Sequence, residues 1–148
     1  MKTDLNVSQT TLKFTRAGKA EFYTPAVSDE TMLVQVAPHA QDDLFMHQHQ
    51  TDQLLVVRGS FVAVILRDRQ YDYIPLSDRT PTILTIPRGI LHGALNFSDE
   101  PCMLINAVIR HGAPCDRDYQ PIKPPMPYDL DVARAVLEQH FNSLPLCV

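Results

Sequence analysis

The stretch IPRGILHGALN, residues 86–96, joins a turn to a strand that carries a histidine. Pro87 fixes its own backbone and Gly89 can adopt conformations closed to other residues, so the pair predicts a turn. His92 follows in an apolar run typical of a strand, with Asn96 near the end of that run. The segment therefore places His92 on a strand that begins directly after a turn.

A second stretch, MHQHQTDQLLVVRG at residues 46–59, carries two histidines separated by a single residue. Alternate residues of a strand share a face, so His47 and His49 are expected to point the same way. A regular strand would add Gln53 to that face and turn Asp52 away from it. A turn at Gln50 and Thr51 would break this alternation and admit Asp52, so both alternatives stay open.

Outward from these two stretches, short apolar segments recur with polar turns between them. They are AEFY (20–23), TMLVQVA (31–37), QLLVVRG (53–59), SFVAVILR (60–67), YDYIPL (71–76), TILTI (82–86), LHGALNF (91–97) and CMLINAVI (102–109). About eight strands at this spacing predict an all-β sandwich or small barrel. Where the third and fourth segments meet, at Gly59 and Ser60, the pattern predicts a hairpin with a two-residue turn.

The C-terminal part has a different composition. Residues 120–128 are rich in proline and are expected to run extended over the surface. A helix is predicted over about residues 129–141, with Asp129 capping its N-terminus. The apolar positions of this helix share one face and are Leu130, Ala133, Leu137 and Phe141. We expect that face to pack on the outside of the β structure or on a partner subunit.

The composition bounds the class of protein. The chain has 148 residues, and we interpret residues 1–148 as one domain with a real core, since 45% of them are apolar. The net charge is −4 and no cluster of Lys and Arg occurs, which argues against nucleic acid as a partner. The polar N-terminus is unlike a signal peptide and no apolar run could span a bilayer, so we expect a cytoplasmic protein. Cys102, Cys115 and Cys147 are odd in number and are expected to be free thiols.

The histidines of the two stretches could converge inside a barrel. Three imidazole nitrogens from His47, His49 and His92, with one oxygen donor, would suit a divalent Fe, Mn, Ni or Zn ion. A lone histidine is more often part of a packed core than a ligand. The prediction of a site therefore depends on the two stretches together.

Together the two stretches resemble the signature motifs of the cupin superfamily. The second motif is matched at Pro87, Gly89, His92 and Asn96, and the resemblance covers roughly residues 33–109. It implies an all-β, double-stranded β-helix (a cupin jelly-roll barrel) with an N-terminal strand extension and one C-terminal α-helix. The barrel core would then span about residues 31–110.

The same resemblance bears on metal binding. The first motif departs from the cupin pattern at the glutamate that usually completes the metal site. Counting from His49 puts Gln53 there, whereas counting back from Gly59 puts Asp52 there. The implied metal ligands are then His47, His49, Gln53 and His92. A Gln carbonyl is a weaker ligand than a carboxylate, so we expect a small-molecule cupin whose His-lined barrel site is able to bind a divalent Fe, Mn, Ni or Zn ion, but less tightly than a site with a carboxylate.

Within the cupins, residues 47–66 and 86–108 look like the matching strands of deoxysugar ketoisomerases and dTDP-4-dehydrorhamnose 3,5-epimerases. That resemblance implies a sugar-nucleotide epimerase or isomerase, with His47 and His49 as its acid–base pair and a dTDP-sugar as its ligand. It also implies a homodimer. Candidate side chains for holding a nucleotide are Arg58, Arg67, Arg88 and Arg110 for its diphosphate, with Tyr71 and Tyr73 for stacking. The alternatives are an Fe- or Mn-dependent dioxygenase and a cupin that binds a small ligand without catalysis.

Overall fold

The computed structural model describes residues 6–145, which form ten strands, a short 3-10 turn and one α-helix. The N-terminal strands are β1 (Ser8–Thr11), β2 (Phe14–Ala17), β3 (Ala20–Tyr23) and β4 (Glu30–Val36). The remaining strands are β5 (Gln50–Arg58), β6 (Ser60–Arg67), β7 (Gln70–Ser77), β8 (Thr82–Ile86), β9 (Leu91–Leu95) and β10 (Cys102–Arg110). The 3-10 turn covers Asp116–Tyr119 and the helix, α1, covers Leu130–Ser143.

Eight of the ten strands form two antiparallel sheets around one core, and β2 and β3 pair as a separate ribbon. The larger sheet has the order β1-β8-β5-β10-β4, and the smaller sheet has the order β7-β6-β9. Side chains from both sheets meet in a buried apolar cluster that includes Leu54, Phe61, Leu84 and Leu104. This arrangement confirms the predicted all-β jelly roll, because each sheet buries the apolar face that alternation along its strands creates.

The predicted hairpin at Gly59 and Ser60 is wrong. β5 pairs with β8 and β10, whereas β6 pairs with β7 and β9, so the chain passes from one sheet to the other here. Gly59 makes the corner at φ +88°, and its backbone exchanges hydrogen bonds with Asp78. A glycine between two apolar runs thus marked a change of sheet. The hairpin in this region is instead β6–β7, where Asp68 and Arg69 both adopt left-handed conformations as a tight two-residue turn requires.

The helix lies on the outside of the smaller sheet, as its apolar face predicts. Ala133 is fully buried and belongs, with Leu137, to a cluster that includes Leu66 and Tyr73 of that sheet. Asp129 caps the helix by accepting a hydrogen bond from the backbone N–H of Val132 at 3.1 Å. The helix therefore contributes packing on the side of the smaller sheet that faces away from the core.

The β2–β3 ribbon is exposed along its whole length, and Phe14 and Phe22 are each about half exposed. The expected homodimer stays a prediction. No helix within residues 6–145 is long and apolar enough to cross a membrane. Cys102 and Cys115 are free thiols as predicted, while Cys147 lies outside the described residues.

Candidate active site

A cavity of about 480 Å³ opens between the two sheets. Its polar lining side chains include His47, Gln50, Asp52, His92, Asn106 and Tyr119. These side chains come from β5, β9 and β10, from the segment before β5 and from the 3-10 turn. These parts of the chain are far apart in sequence. A cavity of this size lined mainly by apolar groups, with a few converging polar ones, is typical of a small-molecule site.

The centre of the polar group is a carboxylate between two imidazoles. Oδ2 of Asp52 lies 3.3 Å from Nε2 of His47 and 3.3 Å from Nε2 of His92. All three side chains are largely buried, and Asp52 is only 3% exposed. One atom from each residue falls within 4.8 Å of the others. The site therefore concentrates three titratable groups where water has little access.

A bend before β5 decides which side chains take part. Gln48 and His49 form the bend, and the strand begins only at Gln50. His47 consequently lies outside the strand, and alternation restarts with Gln50 and Asp52 facing the cavity. Asp52 therefore faces the cavity, as the second alternative allows, but the predicted turn at Gln50 and Thr51 is wrong, because the bend lies at Gln48 and His49.

Two of the predicted site residues do not reach the cavity. The ring of His49 lies against Gly112, where an added Cβ would meet it at 3.3 Å. The side chain of Gln53 points to the other face of β5, where its Nε2 donates to the carbonyls of Val27 at 3.1 Å and Ala107 at 2.9 Å. The prediction that His47 and His49 share one face of a strand is therefore wrong, because β5 begins only at Gln50.

A buried acid stabilises the bend. Asp118 is fully buried in the 3-10 turn and accepts hydrogen bonds from the backbone N–H groups of Gln48 at 3.1 Å and Cys115 at 3.3 Å. The same turn places Tyr119 beside the site, with its ring centroid 5.4 Å from that of His47. Asp118 thus ties a segment near the C-terminus to the backbone that carries His47.

The orientation of Asp52 is set by two amide side chains. Its Oδ1 accepts hydrogen bonds from Nε2 of Gln50 at 2.5 Å and Nδ2 of Asn106 at 2.9 Å. Gln50 is held in turn by Arg110, whose guanidinium donates to Oε1 of Gln50 at 2.7 Å. These bonds occupy one carboxylate oxygen and leave Oδ2 for the two histidines.

The contact between Asp52 and the histidines shifts the pKa values of Asp52 and His47. Burial alone would lower the pKa of His47 and raise the pKa of Asp52, because it disfavours charge. The contact with Asp52 outweighs burial and raises the pKa of His47, with a smaller contribution from Asp118. The two imidazoles together hold the pKa of Asp52 well below its ordinary range. Asp52 is therefore ionised at neutral pH, and His47 keeps its proton to higher pH than free imidazole does.

The other ring nitrogens of the two histidines differ. Nδ1 of His92 lies 2.9 Å from the backbone carbonyl of Ile90, an acceptor only, so this nitrogen carries a hydrogen. When His92 also donates to Asp52 through Nε2, it is the doubly protonated imidazolium. Nδ1 of His47 is buried without a hydrogen-bond partner among the described residues. In each ring, Nε2 is therefore the nitrogen that faces Asp52 and can exchange a proton with a ligand.

Several other candidates lie elsewhere. None of the four arginines suggested for a diphosphate lines the cavity, and neither Tyr71 nor Tyr73 does. The two tyrosines bind the C-terminal segment, Tyr71 through the carbonyl of Met126 and Tyr73 through the backbone of Asp129. Gln50, Asn106, Asp118 and Tyr119 were not predicted. Gln50 could have been found from its sequence position, because it is two residues before Asp52 and so shares its strand face. Asn106, Asp118 and Tyr119 come from distant segments and have no such local signal.

Comparisons with known proteins agree with the fold. No family model matches the chain, and no curated protein matches it in sequence. A TDP-quinovose 3,4-ketoisomerase from Campylobacter jejuni is 15% identical, with a TM-score of 0.65 over 79% of this chain and 93% of its own. A mutant 3,4-ketoisomerase from Thermoanaerobacterium thermosaccharolyticum, in complex with TDP-4-keto-6-deoxyglucose, is 14% identical, with a TM-score of 0.61 over 92% and 96%.

A dTDP-4-dehydrorhamnose 3,5-epimerase from Sulfolobus tokodaii is also similar. It is 15% identical, with a TM-score of 0.60 over 85% of this chain and 87% of its own. At these identities the likeness shows the shared fold, so this chain has the cupin fold of the epimerases and ketoisomerases. What this chain does must then be argued from its own site.

Proposed function

We propose that this chain is an isomerase or epimerase that moves a proton at the carbon beside a ketone in a sugar-like substrate. The observation that carries the proposal is the ionised carboxylate of Asp52, buried 3.3 Å from Nε2 of both His47 and His92. Imidazole titrates near neutral pH and can give or take a proton. Two imidazoles that share one carboxylate provide an acid and a base in the same cavity.

The roles follow from the hydrogen bonds. His92, held by Ile90 through Nδ1, can donate from Nε2 to the ketone oxygen as the enol forms. The neutral form of His47 accepts the proton from the neighbouring carbon, and Asp52 stabilises the imidazolium that results. Return of the proton to the opposite face of the same carbon gives an epimer. Return of the proton to the former carbonyl carbon gives an isomer with the ketone moved by one position. Two proteins of similar fold are named for TDP-sugars, and these sugars are the reference substrates for a test.

The test is incorporation of solvent deuterium at the carbon beside the ketone, followed by NMR. TDP-4-keto-6-deoxyglucose and uncharged hydroxy ketones would be offered to the protein and to Asp52→Asn. We expect exchange with the unaltered protein and a loss of about 10²- to 10⁴-fold with the variant. Asp72→Asn is the matched control, since Asp72 is an exposed carboxylate on β7 that pairs with Arg67 of β6. Absence of exchange with every substrate would contradict the proposal.

Divalent metal binding is a second candidate function. His47, His92 and Asp52 supply two imidazole nitrogens and one carboxylate oxygen within 4.8 Å, a donor set that suits non-haem Fe(II) and related ions. Asp52 and His92 have the outer hydrogen bonds that usually orient metal ligands, whereas Nδ1 of His47 has none among the described residues. The ligand set differs from the predicted one, because His49 and Gln53 lie elsewhere. A bound ion would supply a Lewis acid beside the ketone oxygen.

Elemental analysis tests this second candidate. The untagged protein and a His47→Ala/His92→Ala double variant would be analysed after reconstitution with Fe(II), Mn(II), Ni(II) or Zn(II). About one ion per chain, lost in the double variant, is the result expected for a metal site. An equal metal content in both proteins would rule out these ligands.

A further inference from the structure

The cavity changes character along its strands. On β5 the cavity-facing residues run from Gln50 and Asp52 to Leu54, and on the paired strand β10 they run from Asn106 to Leu104. The opposite wall follows the same order, since His92 of β9 is followed by Ala94. The side chains of these three strands are thus polar at one end of the cavity and apolar at the other; Gln35 and Asp42, from outside these strands, also line the cavity.

The apolar end is built by both sheets. Val34 and Val36 of β4 lie beside β10, while Phe61 and Ala63 contribute from the smaller sheet. A ligand that fills the cavity would therefore place hydrogen-bonding groups near Asp52 and a hydrocarbon portion along these side chains. Burying that portion is favourable by the hydrophobic effect.

The charge of the cavity argues against a diphosphate. Among residues 6–145, no Lys or Arg lines the cavity; its acidic side chains are Asp42 and Asp52, and the imidazoles of His47 and His92 that also line it are both paired with Asp52. Phosphate groups are normally bound by Arg, Lys or clustered backbone N–H groups, because their charge is costly to desolvate. An anionic ligand would meet two carboxylates here, and the two imidazoles already face Asp52.

Arg110 does not supply the missing positive charge. Its guanidinium approaches the polar end, but it donates to Oε1 of Gln50 at 2.7 Å and forms an ion pair with Glu30. Its backbone N–H is also bonded to Asp29. Releasing Arg110 for a phosphate would free Gln50, which orients Asp52.

From this charge and polarity pattern we propose that the substrate is an uncharged α-hydroxy ketone with an alkyl or deoxygenated portion, and not a nucleotide-linked sugar. The inference rests on the proposed function and narrows its substrate class. His47 takes the proton from the hydroxyl-bearing carbon, and the C–H electron pair forms the C=C bond of an enediol. The carbonyl oxygen receives a proton from His92. His47 then gives its proton to the former carbonyl carbon, and His92 takes the proton of the original hydroxyl as that C–O becomes the new carbonyl. The carbonyl has moved by one position and both histidines are restored.

The first experiment compares substrate classes by solvent deuterium exchange. Uncharged α-hydroxy ketones with alkyl tails of increasing length would be offered beside TDP-4-keto-6-deoxyglucose, with TDP as a competitor. Exchange into the ketones that TDP does not inhibit is the expected result. Exchange into the nucleotide sugar alone, or competition by TDP, would overturn this inference and leave the proposed function standing. Exchange into neither class would overturn the proposed function itself.

A pair of neighbouring variants tests where the tail binds. Val34 lines the apolar end, whereas Leu33, the residue before it, is 64% exposed on the other face of β4. Val34→Ala is expected to raise KM for the longest-tailed ketone by about three- to tenfold, and more than for the shortest one. Leu33→Ala is the matched control and should leave KM unchanged. Equal effects of Val34→Ala on all tail lengths would contradict the proposed position of the tail.

Discussion

The two histidine stretches make an instructive comparison, because they look alike in sequence and behave differently in the fold. In residues 86–96 the turn ends before the histidine, so His92 lies within a regular strand, β9. In residues 46–59 the bend consists of Gln48 and His49 and ends where β5 begins, so neither histidine belongs to the strand. Alternation is a property of a continuous strand, and it predicts side-chain direction only after the strand has begun.

The largest expected effect separates the two stretches directly. His92→Asn should lower the rate of deuterium exchange by about 10²- to 10⁴-fold, since it removes one of the proposed acid–base groups. His49→Asn should change the rate only slightly, because the His49 ring lies against Gly112 outside the cavity. The measurement is the initial exchange rate at saturating substrate. Equal losses in the two variants would mean that His49 takes part after all.

Gln53→Glu tests the face of β5 that points away from the cavity. The carboxylate could not donate to the carbonyls of Val27 and Ala107, and it would add a buried charge. We expect a loss of roughly 3 kcal/mol in the free energy of unfolding, measured in urea. Gln9→Glu, on exposed strand β1, is the control. A stable Gln53→Glu protein with increased metal affinity would instead place residue 53 in the site.

Asp118→Ala tests what holds the bend. The substitution leaves the backbone N–H groups of Gln48 and Cys115 without their buried acceptor, at a cost of about 1–3 kcal/mol. Thermal unfolding measures that cost, with exposed Asp116→Ala as the control. Exchange activity should fall beyond the loss of folded protein, because His47 moves with the bend. Full activity in the folded fraction would show that the bend persists without Asp118.

The smallest expected effect concerns acid stability. The folded pKa of Asp52 lies well below its unfolded value, so ionised Asp52 contributes stability above the unfolded pKa of about 4. That contribution is lost as the pH falls below this value, at no more than about 1.4 kcal/mol per pH unit. Urea unfolding between about pH 5 and pH 3 should therefore show a steeper decline for the unaltered protein than for Asp52→Asn. Parallel declines would mean that the contacts of Asp52 with the histidines are absent in solution.

Local patterns predicted most of the elements. The strands around His92, the all-β class and the C-terminal helix with its Asp129 cap all follow from short-range preferences. The pairing of the strands did not follow, because the passage through Gly59 resembles a hairpin and is instead a corner between two sheets. The residues of β5 and β6, the strands on either side of Gly59, do not indicate which strands they pair with. β5 pairs with β8 and β10, whose segments lie well downstream in the chain.

The sequence by itself determined which residues could do chemistry and that His92 would stand on a strand after a turn. Only the tertiary structure decided that His47 and His92 would share Asp52, and that His49 and Gln53 would be left out. The physical reason is that a bend of two residues, stabilised by Asp118 from a distant turn, sets the parity of β5. Alternation transmits that local choice along the whole strand, so a contact remote in sequence selects the face that lines the cavity.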